Sequence, residues 1–136
     1  MMARRTFLQV LAAAPLALHA ALSRASKPHD AHKRSPHWPK VEKAHLAAHP
    51  ACDACGAHMH LQVHHVSPFH LHPELELDDA NLVTLCMDSN RCHLLIGHGD
   101  NWKQYNPNLR LHLGKILSGS ISLGGAQTLA RSCRTE

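Results

Sequence analysis

Aromatic side chains are scarce in this sequence: two tryptophans, two phenylalanines and one tyrosine make up 4% of its 136 residues. A chain of this length is about one domain, and with so few large rings that domain can bury only a small core. Small cores usually need a disulfide or metal cross-link. Five cysteines are available, as disulfides in an oxidising compartment or as metal ligands elsewhere.

Positive charge is nearly absent from the middle of the chain. Between residues 44 and 109 the basic side chains are Arg91 and Lys103. The acidic side chains of the same stretch outnumber them: Asp53, Glu74, Glu76, Asp78, Asp79, Asp88 and Asp100. The formal net charge of +4 therefore comes from the two ends. The overall charge is a poor indicator of DNA binding, and phosphate contacts are expected largely from flanking segments.

The apolar stretch from Phe7 to Leu22 is shorter than the roughly 20 residues that a membrane-spanning helix needs, so we expect no stable membrane insertion. It follows Arg4 and Arg5, and Arg4-Arg5-Thr6-Phe7-Leu8 resembles a twin-arginine export signal. Residues 1–25 are interpreted as that signal, with an ordinary apolar helix as the alternative. An exported or periplasmic protein follows if the signal is real, and a cytoplasmic one otherwise.

The rest of the chain divides into three parts by composition. Residues 26–37 are polar and contain two prolines, which is typical of a linker. Residues 38–110 carry the motifs and are expected to fold, beginning with a short helix over 39–48 between Pro39 and Pro50. A second short helix is expected over 108–117. Residues 111–136 are interpreted as a C-terminal tail, either disordered or a degenerate end of the domain.

Four of the cysteines form two pairs that can bind one metal ion. Cys52 and Cys55 are two residues apart and are followed by Gly56, which permits the tight reversal that aims both sulfurs at one ion. Cys86 and Cys92 can complete a tetrahedral four-thiolate zinc site. Two disulfides or buried free thiols are the alternative, and Cys133 is left over.

Two short segments have the pattern of β-strands. Leu61–His65 alternates as a strand does, and Leu82, Val83, Thr84 and Leu85 form a second β-rich run, followed by a possible helix over 92–96. Consecutive strand residues point to opposite faces, so His64 and His65 cannot serve one ion in the same way. One of them can bind metal while the other addresses water or substrate.

The combined pattern from Trp38 to about Leu109 resembles the HNH endonucleases of the ββα-metal type, in the subgroup with a four-cysteine zinc site. The matching elements are His64-His65, Asn81 and Cys92-His93. The resemblance covers about half of the chain. It implies a small α+β domain, a β-hairpin plus a helix, cross-linked by zinc.

The resemblance also implies a role for each site residue. His65 would be the general base, a task suited to an imidazole that titrates near neutrality. Asn81 would hydrogen-bond across the hairpin loop and hold His65 in place. His64 and His93 would bind one divalent ion, Mg²⁺, Mn²⁺, Ni²⁺ or Zn²⁺. His98 is a further candidate ligand, although its spacing from His93 is one residue longer than a helical turn. Structural Zn²⁺ would be bound by Cys52, Cys55, Cys86 and Cys92.

The function implied is a metal-dependent HNH endonuclease that hydrolyses DNA phosphodiester bonds with one metal ion and a histidine base. Little sequence preference is expected, because no segment resembles a DNA-reading helix. The alternative is a catalytically inactive zinc-binding module that binds nucleic acid or protein. The nuclease is favoured because a bare zinc module has no need of His65 and Asn81. The sequence does not indicate an oligomeric state.

Overall fold

The computed structural model describes residues 33–88 and 90–133. The twin-arginine-like segment and most of the predicted linker lie outside the described residues, so the export signal stays a prediction. Among the residues that are described, no helix has the length and apolar content needed to cross a bilayer.

The first helix, α1, spans Trp38–Ala48 and has Pro39 in its first turn, where the missing N–H costs nothing. The predicted helix over 39–48 is thus confirmed. The Nδ1–H of His45 donates to Asp79 Oδ1 at 2.6 Å, which ties α1 to the turn before the second strand. His49 also lies close to this pair.

The two strands form one antiparallel hairpin. Strand β1 spans Leu61–His65 and strand β2 spans Leu82–Cys86, as the sequence predicts to within one residue. Leu61 lies opposite Cys86 and His65 opposite Leu82. The long connection between the strands contains two 3₁₀ turns, Pro73–Leu75 and Asp79–Asn81.

The element after the hairpin is a π-helical turn, His93–Gly97, where the sequence predicts an ordinary helix over 92–96. Two α-helices follow: α2 spans Leu109–Leu117, close to the predicted 108–117, and α3 spans Leu123–Cys133. Helix α3 packs on α2 and on the π-helical turn.

Helix α3 differs from the tail that the sequence left open to disorder. Its buried residues are Ala126 and Ala130, one turn apart and both fully buried. Small side chains at this spacing allow close packing but give a weak hydrophobic pattern, and Gly124 and Gly125 weaken it further. The domain boundaries proposed from sequence otherwise stay predictions.

The core lies between the hairpin, the π-helical turn and the last two helices. Leu85, Ile96 and Leu109 are the largest fully buried apolar side chains, and they pack with cysteines rather than with aromatic rings. The architecture is therefore the small α+β fold expected, a hairpin with helices and a cysteine cluster, consistent with the ββα-metal type.

Candidate metal centres and active site

Four cysteines from three parts of the fold converge on one point. Cys52 and Cys55 lie in the tight turn after α1, Cys86 ends β2, and Cys92 precedes the π-helical turn. One ligand atom from each lies within 4.8 Å of all the others, and the Sγ atoms of Cys55 and Cys86 are 3.6 Å apart. All are free thiols. The cluster can hold one zinc ion in a tetrahedral site, as the sequence predicts.

The turn that carries the first pair depends on glycine. Gly56 has φ +73°, a left-handed conformation that residues with a Cβ rarely adopt. Its N–H donates to the Cys52 carbonyl at 2.8 Å, and the Cys52 N–H donates to the Ala57 carbonyl at 2.8 Å. These bonds close a reversal that turns both sulfurs toward the same side.

The cysteines of the cluster differ in acidity. Hydrogen bonding with the Cys92 thiol lowers the pKa of Cys52 to about 5, whereas the same contact raises the pKa of Cys92. Of these two thiols, Cys52 is therefore the more acidic and Cys92 keeps its proton longer. Metal ligation removes such protons, since the thiolate is the form that binds.

Three histidines form a second cluster. His64 lies on β1, and His93 and His98 lie at the two ends of the π-helical turn. The His64 ring is 4.9 Å from each of the other two, centroid to centroid, and those two are 5.2 Å apart. Their candidate ligand nitrogens lie within 4.8 Å of one another. The structure thus brings all three predicted metal ligands together.

The π-helical turn explains the unusual spacing of the last two histidines. An α-helix aligns residues three or four apart, and His93 and His98 are five apart. The His98 N–H donates to the His93 carbonyl at 3.2 Å, which is the i to i+5 bond of a π-helix. The wider turn returns His98 to the face occupied by His93. Single π turns of this kind often occur at functional sites.

Hydrogen bonds orient the outer two rings. The Nδ1–H of His93 donates to Gln62 Oε1 at 2.8 Å, and the Nδ1–H of His98 donates to the Gln104 carbonyl at 2.6 Å. The neutral rings therefore carry their lone pairs on Nε2, the arrangement usual for metal-ligating histidine. His64 Nε2 is buried and has no hydrogen-bond partner among the described residues. The three imidazoles fit a divalent ion.

Burial keeps these imidazoles neutral. Desolvation, followed by the neighbouring histidines, holds the pKa of His64 well below its usual range. Burial also lowers the pKa of His93 to about 4 and lowers the pKa of His98. Lone pairs are therefore available at neutral pH, and a bound cation would compensate for their burial.

His65 points to the opposite face of β1, as the alternation predicts. Its ring lies 4.6 Å from the Trp38 ring, and its Nε2–H donates to the Glu76 carbonyl at 3.0 Å. This bond leaves the lone pair on Nδ1. Burial lowers the pKa of His65, partly offset by the Glu76 carbonyl. The ring is therefore neutral and able to accept a proton at neutral pH.

Asn81 fastens the hairpin loop. Its Oδ1 accepts the Ser67 N–H at 2.8 Å, and its Nδ2 donates to the carbonyls of Ser67 and Leu75 at 3.0 and 3.2 Å. Ser67 is two residues after His65, and Leu75 precedes the Glu76 whose carbonyl accepts the His65 bond. Asn81 therefore cross-links the backbone of the hairpin loop, and its role in holding His65 stays a prediction.

One open cavity is lined by side chains from both faces of β1. Its volume is about 380 Å³, and His64, His65, His93 and His98 all line it. The other lining residues come from the segment before α1, from β1, from the hairpin loop and from the segment after the π-helical turn: Arg34, Val63, Pro68, Phe69, His70, Trp102, Lys103, Gln104 and Tyr105. The candidate base and the candidate ligands therefore meet the same solvent-accessible space.

Sequence reasoning missed three residues of this site. Gln62 is two residues before His64 in a strand, and that spacing could have indicated a polar neighbour on the ligand face. Glu76 lies in a loop of several acidic residues, and nothing in its pattern marks it as the buried one. Arg34 belongs to the segment interpreted as linker.

The fold and the two clusters are consistent with a small domain of the ββα-metal type whose cysteines could hold a zinc ion. Residues 52–99 match the family model described as HNH endonuclease, and this range includes every cysteine and histidine of both clusters. No curated protein and no solved structure matches the chain.

Proposed function

We propose that this protein is a metal-dependent HNH endonuclease that hydrolyses phosphodiester bonds of DNA with one catalytic ion and a histidine base. The observation that carries the proposal is the shared cavity, in which His65 approaches from one face of β1 and the three-histidine cluster from the other. The family match of residues 52–99 supports a nuclease-type or nucleic-acid-related function.

In the proposed reaction, a water molecule loses a proton to Nδ1 of His65 while its oxygen attacks the phosphorus. The bond from phosphorus to the 3′ oxygen breaks, and the 3′ oxygen takes a proton from solvent. The Glu76 carbonyl keeps the accepting nitrogen at Nδ1, and Asn81 keeps the loop that carries Glu76 in place. An ion bound by His64, His93 and His98 would supply positive charge to the phosphate and the departing oxygen.

The donor set favours a transition-metal ion among the four divalent ions considered. His64, His93 and His98 offer imidazole nitrogens, which suit Zn²⁺ and Ni²⁺, whereas Mg²⁺ prefers carboxylate and water oxygen. The two outer Nδ1–H groups are already donated, as they are in known catalytic metal sites. We therefore expect activity with Zn²⁺ or Ni²⁺ to exceed that with Mg²⁺.

The proposed substrate and location rest on the sequence alone. DNA with little sequence preference is the proposed substrate. If residues 1–25 act as a twin-arginine signal, the enzyme works outside the cytoplasm, and that route would export the domain already folded around its structural zinc.

Plasmid nicking tests the function. Full-length protein is incubated with supercoiled DNA in Mg²⁺, Mn²⁺, Ni²⁺ or Zn²⁺, beside His65→Ala. We expect wild-type nicking and a loss of about 100-fold or more in His65→Ala, the usual contribution of a general base. His112→Ala is the matched control, because His112 is also buried but lies outside the cavity.

Two results would contradict the proposal: no nicking in any of the four ions, or equal nicking by His65→Ala. Thermal unfolding of all three proteins ensures that a lost activity is not a lost fold. An inactive but folded wild-type protein that still binds zinc would indicate the alternative, a zinc-binding module without catalysis.

A further inference from the structure

Arg34 lies three residues before His37, the last residue of the predicted linker, and forms part of the cavity wall. It lines the cavity together with the four site histidines. Its guanidinium carbon lies 4.6 Å from the centroid of the Trp38 ring and 5.2 Å from that of Phe69, over both rings. Half of its side-chain surface is exposed. The cation is thus supported by aromatic faces and still accessible from the cavity.

Glu76 links this arginine to the candidate base. Its side chain is only 1% exposed, Oε2 accepts the Ser35 N–H at 2.9 Å, and Oε1 lies 3.6 Å from Arg34 Nη1. The backbone carbonyl of the same residue accepts the Nε2–H of His65 at 3.0 Å. One residue of the hairpin loop therefore positions both the guanidinium and the imidazole at the same cavity.

A positively charged side chain in this cavity is suited to bind a phosphate group. Residues 44–109 are net acidic, and among the described residues of this range Lys103 is the one lysine or arginine in the cavity lining. A guanidinium offers paired N–H donors whose geometry matches two phosphate oxygens. Lys103 also lines the cavity. Arg34 is favoured because contacts with an aromatic ring and a carboxylate orient its side chain.

We propose that Arg34 binds a backbone phosphate of the nucleic acid in the catalytic cavity, so that the segment before α1 is part of the active site. This inference rests on the proposed nuclease function. It assigns a phosphate contact to Arg34, which lies outside the acidic central region.

The test compares Arg34→Gln with Arg131→Gln in the full-length chain. Arg131 is a matched control: it is 51% exposed and paired with Asp100 at 3.2 Å, much as Arg34 is 50% exposed and paired with Glu76, but it does not line the cavity. Binding of a fluorescent duplex oligonucleotide is measured by anisotropy over a salt series in a His65→Ala background, with Zn²⁺ present, so that the DNA stays intact.

Arg34→Gln should weaken binding by about tenfold and reduce the slope of log K against log salt by about one, the effect of losing one phosphate contact. Arg131→Gln should leave both unchanged. With His65 restored, Arg34→Gln should also lower kcat/KM for nicking by about tenfold or more, and Arg34→Lys should recover part of the loss because it keeps the charge without the planar donors.

A second variant distinguishes the loss of a phosphate contact from a folding defect. Arg34→Gln leaves the buried Glu76 carboxylate without its cation, which can destabilise the loop. The double variant Arg34→Gln/Glu76→Gln removes both charges and should show the same loss of binding. Binding by the double variant equal to wild type would overturn the inference.

The outcomes separate this inference from the proposed function. If wild type nicks DNA and Arg34→Gln binds and cuts like Arg131→Gln, the nuclease assignment holds and the role of Arg34 is wrong. If wild type nicks nothing but Arg34→Gln loses oligonucleotide affinity and salt slope, Arg34 is a phosphate ligand and the nuclease assignment is wrong.

Discussion

The cysteine cluster and the histidine cluster lie side by side in one small domain, and they differ most in their access to solvent. Cys86 and Cys92 are fully buried and Cys52 nearly so, within the apolar core. His93 and His98 are only partly buried and face a cavity of about 380 Å³. Four ligands, three of them buried, can complete a tetrahedral shell, whereas three ligands beside a cavity leave a position for water or substrate.

The contrast shows how one cluster supports the other. Cys92 and His93 are adjacent in sequence, and Cys86 ends the strand that pairs with the strand of His64. A metal ion at the cysteines would therefore hold the start of the π-helical turn against the end of the hairpin. With metal bound, the cysteine cluster, here called the closed site, would stabilise the fold. The histidine cluster, here called the open site, would bind its ion at positions that this fold provides.

The largest expected effect comes from the closed site. Cys92→Ser should lose bound zinc and cooperative thermal unfolding, because structural zinc contributes on the order of 10 kcal/mol to small domains and this core is small. Metal analysis and circular dichroism measure both. Cys133→Ser is the control, since Cys133 lies on α3 outside the cluster. If Cys92→Ser unfolds like Cys133→Ser, the cysteines do not stabilise the fold.

The open site should behave in the opposite way. His93→Ala should keep the fold and the cysteine-bound zinc, yet bind one ion fewer and nick DNA about 100-fold more slowly or worse, because the ion supplies several kcal/mol in the transition state. His60→Ala, an exposed histidine outside the cluster, is the control. Full activity in His93→Ala would remove the distinction between the two sites.

A smaller effect is expected where the two clusters meet. A Cβ at Gly97 would lie 3.1 Å from His64 Cε1 and 3.2 Å from Leu85 Cδ1, so Gly97→Ala must displace a ligand ring or a core side chain. We expect a stability loss of about 1–3 kcal/mol and metal affinity about tenfold weaker. Gly114→Ala, whose added Cβ meets nothing within 4 Å, should instead be neutral or stabilising. Titration with Zn²⁺ and thermal melts measure the two effects. If Gly97→Ala and Gly114→Ala behave alike, the contact at Gly97 is unimportant.

The smallest effect concerns ligand orientation alone. Gln62→Ala removes the acceptor of the His93 Nδ1–H, which should weaken ion binding at the histidines about tenfold. Excess metal should restore nicking, because the ligand itself remains. Gln127→Ala, a glutamine on α3 that belongs to neither cluster, is the control. A nicking rate that shows no dependence on metal concentration in Gln62→Ala would exclude this orienting role.

Local patterns predicted the parts of the fold that local forces decide. The alternation of Leu61–His65 predicted both β1 and the division of His64 and His65 between two faces. The cysteine spacing predicted a cluster that the structure assembles from three segments. The proline-bounded helix over 39–48 was likewise recoverable, since proline acts on its own neighbours.

What the sequence did not indicate depends on tertiary contacts. His98 joins the cluster through a π turn, and its spacing counts against it in an α-helix. Helix α3 is stabilised by small alanines against other elements, which gives little hydrophobic signal. Arg34 and Glu76 meet across 42 positions of sequence, and no local rule relates them.

The pairing of β1 with β2 has a consequence for the chemistry itself. In a strand, a shift of one residue moves every side chain to the other face. Such a shift would send His65 toward His93 and His98, and His64 toward Trp38, exchanging the proton acceptor and the ligand without changing an atom of the chain. The alignment of two five-residue strands therefore distinguishes a competent site from an inert one.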